Sequence, residues 1–309
     1  MSEIEYQSFT PDHIAGAAQV LADRHSQLLE SGSPLARQVD FVEQMRTASQ
    51  ESSGAVAIRN NEVVGYLLGK TQSDDIGPHV WSHLAGHAAE VSEAINGLYC
   101  FAAKHWVEQG LTRHFVFAPA NPEYVDPWFR LGFGLSAVMA ARPVAVANDW
   151  KIPEVIIRRV ETADYPHVAR LERELFLSLR ESPSFSKIVV ESLEEFTQSW
   201  MSMKGDDRYV AWCCEVDGQI VGELFLYRRP EGDLRVPSRS IDLSSASVDP
   251  AFRRRGIAKA LTQVALEWAK ENEIDTLITD WRATNLTATH TWPNLGFEPT
   301  FFRLYRSIP

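Results

Sequence analysis

No stretch of this sequence approaches the run of about eighteen apolar residues that a membrane-spanning helix needs, so a membrane-embedded chain is not expected. Cysteine is scarce as well. Cys100, Cys213 and Cys214 are odd in number, and neighbours on a strand point to opposite faces, which argues against a disulfide framework. Positive charge is in deficit, with 30 Lys and Arg against 41 Asp and Glu and a formal net charge of −11. Binding to a nucleic-acid backbone rests on clustered Lys and Arg, so nucleic acid is not an expected partner. The acidity favours solubility and, more weakly, a cationic substrate such as an amine. The opening Met1-Ser2-Glu3-Ile4-Glu5 is acidic and runs straight into a strand-like pattern without a secretory or transit signature; a soluble, cytoplasmic chain is expected.

Two kinds of chemistry lack their residues. His83 and His87 are four apart with His79 close by, yet there is no His-Glu-x-x-His arrangement and no cysteine pair; read as a helical pair, they line a cleft or face solvent, and no metal is expected. Neither Cys213 nor Cys214 has a sequence partner that would activate a thiol nucleophile.

What is present is a basic turn. Val248-Asp249-Pro250-Ala251-Phe252 leads into Arg253, Arg254, Arg255, Gly256, Ile257, Ala258 and Lys259, after which apolar residues recur at Ile257, Leu261, Val264, Ala265 and Trp268 with the spacing of one helix face. A turn that opens a helix presents unpaired backbone N–H groups at the positive end of the helix dipole, and small residues let an anion approach them. Neither the Lys-Ser/Thr of a phosphate-binding Walker loop nor the three glycines of a dinucleotide fingerprint are there.

The run Arg253-x-x-Gly256-x-Ala258 resembles the Arg/Gln-x-x-Gly-x-Gly/Ala signature of the GCN5-related N-acetyltransferases, the GNAT superfamily. A strand-like Thr276-Leu277-Ile278-Thr279-Asp280 comes next, then Asn285, Trp292 and Leu295-Gly296-Phe297, in the order of that family's second half. The resemblance implies that residues 253–259 hold the pyrophosphate of acetyl-CoA and that Asn285 and Trp292 also lie along the cofactor. It further implies that Ser240 to Val248 is a strand splayed from its neighbour, with the main chain of Ala246 and Val248 bonding the pantetheine arm. The small side chains of Ser244-Ser245-Ala246-Ser247 suit that role.

The pattern occurs twice. Asn121, Trp128 and Leu131-Gly132-Phe133 repeat Asn285, Trp292 and Leu295-Gly296-Phe297 at the same spacing, and Ala141-Arg142 falls where Tyr305-Arg306 does. Ile4 to Phe9 and Val155 to Val160 each read as an opening strand, with Thr10 and Thr162 placed to cap the next helix. The expected fold is α+β (α/β, three-layer): two tandem GNAT domains, each a mixed, mostly antiparallel sheet flanked by helices. The expected domains are 1–147 and 154–309, with a linker at Ala147-Asn148-Asp149-Trp150-Lys151-Ile152-Pro153. Aligning Trp106 with Trp268 sets Val91-Ser92-Glu93-Ala94-Ile95-Asn96 opposite the arginine turn. No Gly or Arg remains there, so the first copy is read as a degenerate partner, as in other tandem GNAT proteins such as mycothiol synthases.

For chemistry, Asp242 is the first expected general base, six residues before Val248 and sharing a face with Ser244, Ala246 and Val248 by strand alternation. Glu223 is the second. The tyrosine that usually serves as the leaving-group acid is replaced by Trp292, whose indole N–H is no useful acid; His290, Tyr305 or water stands in, and packing is the simpler role for the indole. The expected activity is acetyl transfer from acetyl-CoA directly to an amine, most simply of a small molecule, by a chain that is monomeric with two paired domains or homodimeric. A non-catalytic acyl-CoA sensor is the alternative.

Overall fold

The computed structural model describes residues 3–74, 77–145, 154–230 and 232–309. The linker expected at 147–153 lies outside the described residues. The first sequence copy runs β1 (Glu5–Ser8), α1 (Ile14–Glu30), α2 (Phe41–Ser49), β2 (Ser52–Arg59), β3 (Glu62–Asp74), β4 (Gly77–Ser82), β5 (His87–Ala89), α3 (Glu93–Glu108), β6 (Arg113–Pro119), α4 (Pro122–Arg130) and β7 (Gly134–Pro143). The second runs β8 (Ile156–Arg159), α5 (Tyr165–Ser178), α6 (Leu193–Ser202), β9 (Tyr209–Val216), β10 (Gln219–Tyr227), β11 (Ser240–Val248), α7 (Ile257–Glu271), β12 (Thr276–Arg282), α8 (Leu286–Asn294) and β13 (Glu298–Ser307). Both copies thus show the mixed sheet with helices that the sequence implies. Among the described residues no helix is long and apolar enough to cross a membrane.

The compact units are not the two sequence copies. Unit 1 holds Met1–Met139, Gly232–Ser238 and Pro299–Pro309; unit 2 holds Ala140–Glu231 and Arg239–Glu298. In unit 1, β1, β2, β3 and β4 pair antiparallel, β4 pairs parallel with β6, and β13, from the second copy, pairs antiparallel with β6 from Phe301↔Pro119 to Ser307↔Arg113. In unit 2, β8, β9, β10 and β11 pair antiparallel and β11 pairs parallel with β12. There the end of β7, from the first copy, lies beside β12, and Val144 N–H donates to the Asp275 carbonyl at 2.8 Å. Each unit therefore includes a strand, or the end of one, from the other half of the sequence.

Burial holds the exchanged strands in place. Phe301 (1% exposed) and Leu304 (0%) sit in the cores of unit 1. Arg142, 2% exposed, donates its Nη1 to the Leu295 carbonyl at 2.7 Å in unit 2, and a Cβ on Gly296 (φ 83°) would stand 3.3 Å from its Nε. Arg306 takes the matching place in unit 1, its guanidinium 5.5 Å from the Tyr99 ring, beside Gly132 at φ 82°. Glycine is needed at both turns because the backbone is left-handed there.

Helix α7 forms where its spacing predicts and buries Ile257, Leu261 and Ala265 of the expected face together with Ala260, Leu266 and Ala269, while the expected Val264 and Trp268 are only half-buried. Ile257 lies over Gly222, where a Cβ would come within 2.9 Å of its Cγ2, so the glycine lets the helix close on β10. The copies superpose by their helix ends, where Ile274 N–H bonds the Ala269 carbonyl and Leu111 N–H bonds the Trp106 carbonyl. Trp106 therefore corresponds to Ala269, not to Trp268 as the sequence alignment has it: the buried slot that a Trp fills in one copy is filled by an Ala in the other. Two other local expectations change. Glu161, not Thr162, caps the short helix of residues 162–164, and His83 and His87 are not on a helix, since His87 opens β5 and binds the Phe117 carbonyl at 2.6 Å.

Candidate active site

Strand β11 is paired on both sides only at its start. Against β12 the ladder runs from Ser240↔Thr276 to Leu243↔Thr279 and stops, while against β10 it continues to Gly222↔Val248. The backbone of residues 244–248 thus has no β12 partner, at the stretch of small side chains, and of its outward groups the Val248 carbonyl is taken by Arg253 Nε. A register shift puts one extra residue, Ser244, opposite the Phe225–Leu226 step. Such a bulge reverses the alternation beyond it. Asp242, Ser245 and Ser247 face the same way as their partners Tyr227, Phe225 and Glu223, whereas Ala246 and Val248 turn to the other face. The expectation that Asp242 shares a face with Ala246 and Val248 is corrected by this extra residue.

The turn between β11 and α7 is anchored at both ends. Asp249 N–H donates to the Val221 carbonyl at 2.9 Å, and the Asp249 side chain accepts from Ala251 N–H at 3.0 Å and pairs with Arg170 at 3.4 Å. Gly256 then caps α7 at φ 82°, two residues after Arg254 at φ 62°. These two left-handed residues turn the first N–H groups of α7 outward, as an anion cradle requires. The arginines divide their labour. Arg253 Nε bonds the Val248 carbonyl at 3.1 Å and Arg255 packs on Phe252 at 4.9 Å, which shapes the loop, while Arg254 and Lys259 are exposed. These residues fit a pyrophosphate: main-chain donors, a glycine whose side chain would intrude, and cations around the rim.

The two expected carboxylates are both buried on one face, yet they differ. Asp242 is 3% exposed, and Arg229 grips its Oδ2 with Nε at 2.6 Å and Nη2 at 2.5 Å. Burial pushes its carboxyl up to about 6; Arg229 opposes the rise and Asp280 adds to it. Glu223 is fully buried. Its Oε1 accepts the hydroxyls of Ser245 (2.9 Å) and Ser247 (3.0 Å), and its Oε2 has no hydrogen-bond partner among the described residues. Burial, with the charge of Glu172 behind it, pushes Glu223 up to about 8, so it is protonated at neutral pH. Glu172 is itself held by the Trp200 indole at 2.9 Å. Sequence reasoning passed over Arg229, Glu172 and Trp200, because nothing local in the chain links them to β10 and β11.

The remaining expected residues separate. Asn285 caps α8, its side chain accepting from Ala288 N–H at 3.1 Å. Trp292 is 8% exposed and packs edge-on against Phe297, 5.5 Å away, as Trp128 packs against Phe133 at 5.2 Å. His290 is exposed on α8. Tyr305 lies on β13 in the sheet of unit 1, opposite Phe115 with the rings 4.8 Å apart, whereas Asp242 and the turn belong to unit 2. The exchange of last strands is the reason.

Comparison with known proteins agrees with this geometry. Residues 173–297 match the Acetyltransferase (GNAT) family, whose members use acetyl-CoA. N-acetyltransferase 8 of Homo sapiens is 28% identical over 108 residues, 35% of this chain and 45% of that protein, so the chain spans about half the length of such relatives. The fold of the whole chain is similar to a GCN5-related N-acetyltransferase from Sphaerobacter thermophilus, with a TM-score of 0.58, 14% identity and coverage of 98% and 95% of the two chains. It is also similar to a tandem GNAT protein from the clavulanic acid biosynthesis pathway, at TM-score 0.53, 12% identity and coverage of 99% and 98%. Residues 173–297 of the second copy thus match the GNAT acetyltransferase family, and the chain as a whole has a fold similar to those GNAT structures.

Proposed function

We propose that unit 2 binds acetyl-CoA and transfers its acetyl group to the amine of a small molecule. The observation that carries this reading is the junction of β11 and α7: an unpaired strand segment 244–248 leading into a left-handed Gly256 cap. The diphosphate lies on the N–H groups of the turn, and the pantetheine arm runs along the strand edge that β12 leaves unpaired, meeting the main chain at Ala246, since the Val248 carbonyl is held by Arg253. Asn285 and Trp292 serve by fixing α8 beside that channel.

In the transfer, Asp242 takes a proton from the ammonium group, the neutral nitrogen attacks the thioester carbonyl, the C–N bond forms and the C–S bond breaks. The second nitrogen proton passes to water as water protonates the thiolate, and Asp242 then returns its proton to solvent, so that one proton is released per turnover. Arg229 opposes the rise that burial causes in Asp242 and holds its Oδ2; Oδ1, buried and without a hydrogen-bond partner among the described residues, is the atom left to take the proton. Glu223, protonated and tied to two serines, orders the strand instead of acting as the base.

The test is acetyl-CoA titration and then turnover with an amine acceptor. One site per chain is expected. Asp242→Asn should leave acetyl-CoA affinity within about twofold and lower kcat by about a hundredfold, in the range for losing a general base. The wild-type rate should fall as pH drops below about 6, where Asp242 is protonated. Loss of acetyl-CoA binding altogether in the wild type would overturn the reading.

A further inference from the structure

Unit 2 has a cavity of about 330 Å³ that the transfer chemistry above does not use. Its wall includes Tyr165, Trp200, Met203, Tyr209, Ala211 and Phe225. The rings form a connected set: Tyr209 stacks on Phe225 (5.5 Å, 13°), Trp200 meets Phe225 edge-on (5.4 Å, 60°), and Tyr165 lies 5.9 Å from Trp200. The charged groups, Lys204, Asp206 and Asp207, come from the single turn after α6, and Asp206 is already spent on Arg208 at 2.6 Å.

The register links this cavity to the proposed base. Tyr209 on β9 is opposite Tyr227 on β10, which is opposite Asp242 on β11, so all three side chains share a sheet face. Two strand spacings separate Tyr209 from Asp242, about 10 Å. Tyr227 fills the interval, stacked on Tyr209 at 4.9 Å and 19°. A row of parallel rings thus runs from the cavity floor to the carboxylate.

We propose that this cavity holds the apolar, ring-sized body of the acceptor, so that the substrate of unit 2 is a primary amine carrying an aromatic ring on a short linker. The inference rests on the acetyltransferase reading. The volume lies at the small end of ligand sites and suits one ring system with its linker. Aromatic walls favour stacking of a flat, apolar group. An amino sugar's hydroxyls would meet ring faces over the Tyr209–Phe225–Trp200 part of the wall, where a hydroxyl left without a partner costs about 1–3 kcal/mol, and would find charged partners only at the Lys204–Asp207 edge.

The test uses 2-phenylethylamine and glucosamine as probes, with the wild type and Ala211→Trp. Ala211 is partly exposed in the cavity wall, and its backbone carbonyl bond to Val160 N–H does not involve the side chain. Binding is read first without cofactor, by calorimetry, and turnover second, with acetyl-CoA. The proposal expects 2-phenylethylamine to bind the wild type, a tenfold or greater weakening in Ala211→Trp with an unchanged melting temperature, and a KM for 2-phenylethylamine at least tenfold below that for glucosamine. Turnover of glucosamine with no binding of 2-phenylethylamine overturns the cavity assignment and leaves the acetyltransferase reading standing. Binding of 2-phenylethylamine that Ala211→Trp removes, with no amine acetylated, keeps the cavity as an aromatic-amine site and overturns the enzyme reading. Equal binding to wild type and Ala211→Trp overturns the cavity assignment; an unfolded variant is replaced by Met203→Trp, which narrows the same space from the end of α6.

Discussion

The two copies share a strand order and differ wherever the second could hold a ligand. Gly65 faces Ala89 as Gly222 faces Val248, so Tyr66 stands where Glu223 stands and Trp81 where Asp242 stands. Counted from the helix starts at Ile14 and Tyr165, Leu21 takes the place of Glu172. Each of these three interior carboxylates of the second copy is thus an apolar or aromatic residue in the first. The strand that runs on as β11 breaks in the first copy into the short turn Leu84–Gly86 between β4 and β5. That turn is stitched shut: Tyr66 donates to the Ala85 carbonyl at 2.9 Å, and the buried Arg24 donates to the carbonyls of Leu84 (2.7 Å) and His87. Carbonyls engaged in this way are not open to a cofactor.

The turn before the helix differs in length as well. Between Glu90 and Ala94 the first copy has residues 91–93; between Asp249 and Ile257 the second has residues 250–256, four more. Glu93 is the counterpart of Gly256, and the N-cap there, Ser92, is right-handed. One copy has kept an open strand and a long left-handed turn; the other has closed the strand and shortened the turn. Degeneracy here is repacking around the same frame, which costs the sheet nothing.

The comparison breaks most visibly at Gly256. Gly256→Glu forces a β-carbon and a carboxylate into a left-handed anion cradle, and acetyl-CoA affinity should fall by a hundredfold or more, whereas Glu93→Gln should leave it unchanged, both read by calorimetry. Equal effects would mean that the copies are not divided as described. The next effect is on folding. Phe301→Ala, in the second copy's sequence, should destabilise the protein by about 3–5 kcal/mol. Amide exchange should rise in β6 of unit 1 and not in β12, because Phe301 is paired with Pro119. A rise confined to β12 would sink the exchanged-strand description.

The smallest expected effect concerns Glu223. Its carboxyl is raised to about 8 in the fold from the ordinary 4.5, so its contribution to stability is complete below about pH 4.5 and lost as pH climbs through 8. Glu223→Gln stays neutral, and its denaturant midpoint should vary less between about pH 5 and 9 than that of the wild type. Parallel pH dependences would remove Glu223 as the source; Tyr66 in the first copy supplies no such dependence, being neutral across the range.

Much of this was legible along the chain. The arginine turn, the helix behind it and the repeated Leu-Gly-Phe are local patterns, set by which residues lie three, four or two apart, and they placed α7 and paired the Asn, Trp and Leu-Gly-Phe positions of the two copies. The boundary of each opening strand was read to within a residue or so. What misled was counting across an insertion. Matching Trp106 to Trp268 slipped the copies by one residue, and alternation along β11 failed at Ser244, since a bulge is decided by the partner strand. Asp242 was named from its place in the pattern, but its arginine partner was not, because Arg229 comes from a loop thirteen residues back.

Sequence by itself determined the repeat, the basic glycine turn that opens α7 and the lack of Gly and Arg at the matching stretch of the first copy, because backbone preference and periodicity act between near neighbours. Only the tertiary structure decided which strand completes which sheet, which carboxylate meets an arginine and which is left protonated, and where rings from α5, α6, β9 and β10 line a pocket. Those outcomes depend on burial shared between residues far apart in the chain, and no local spacing encodes them.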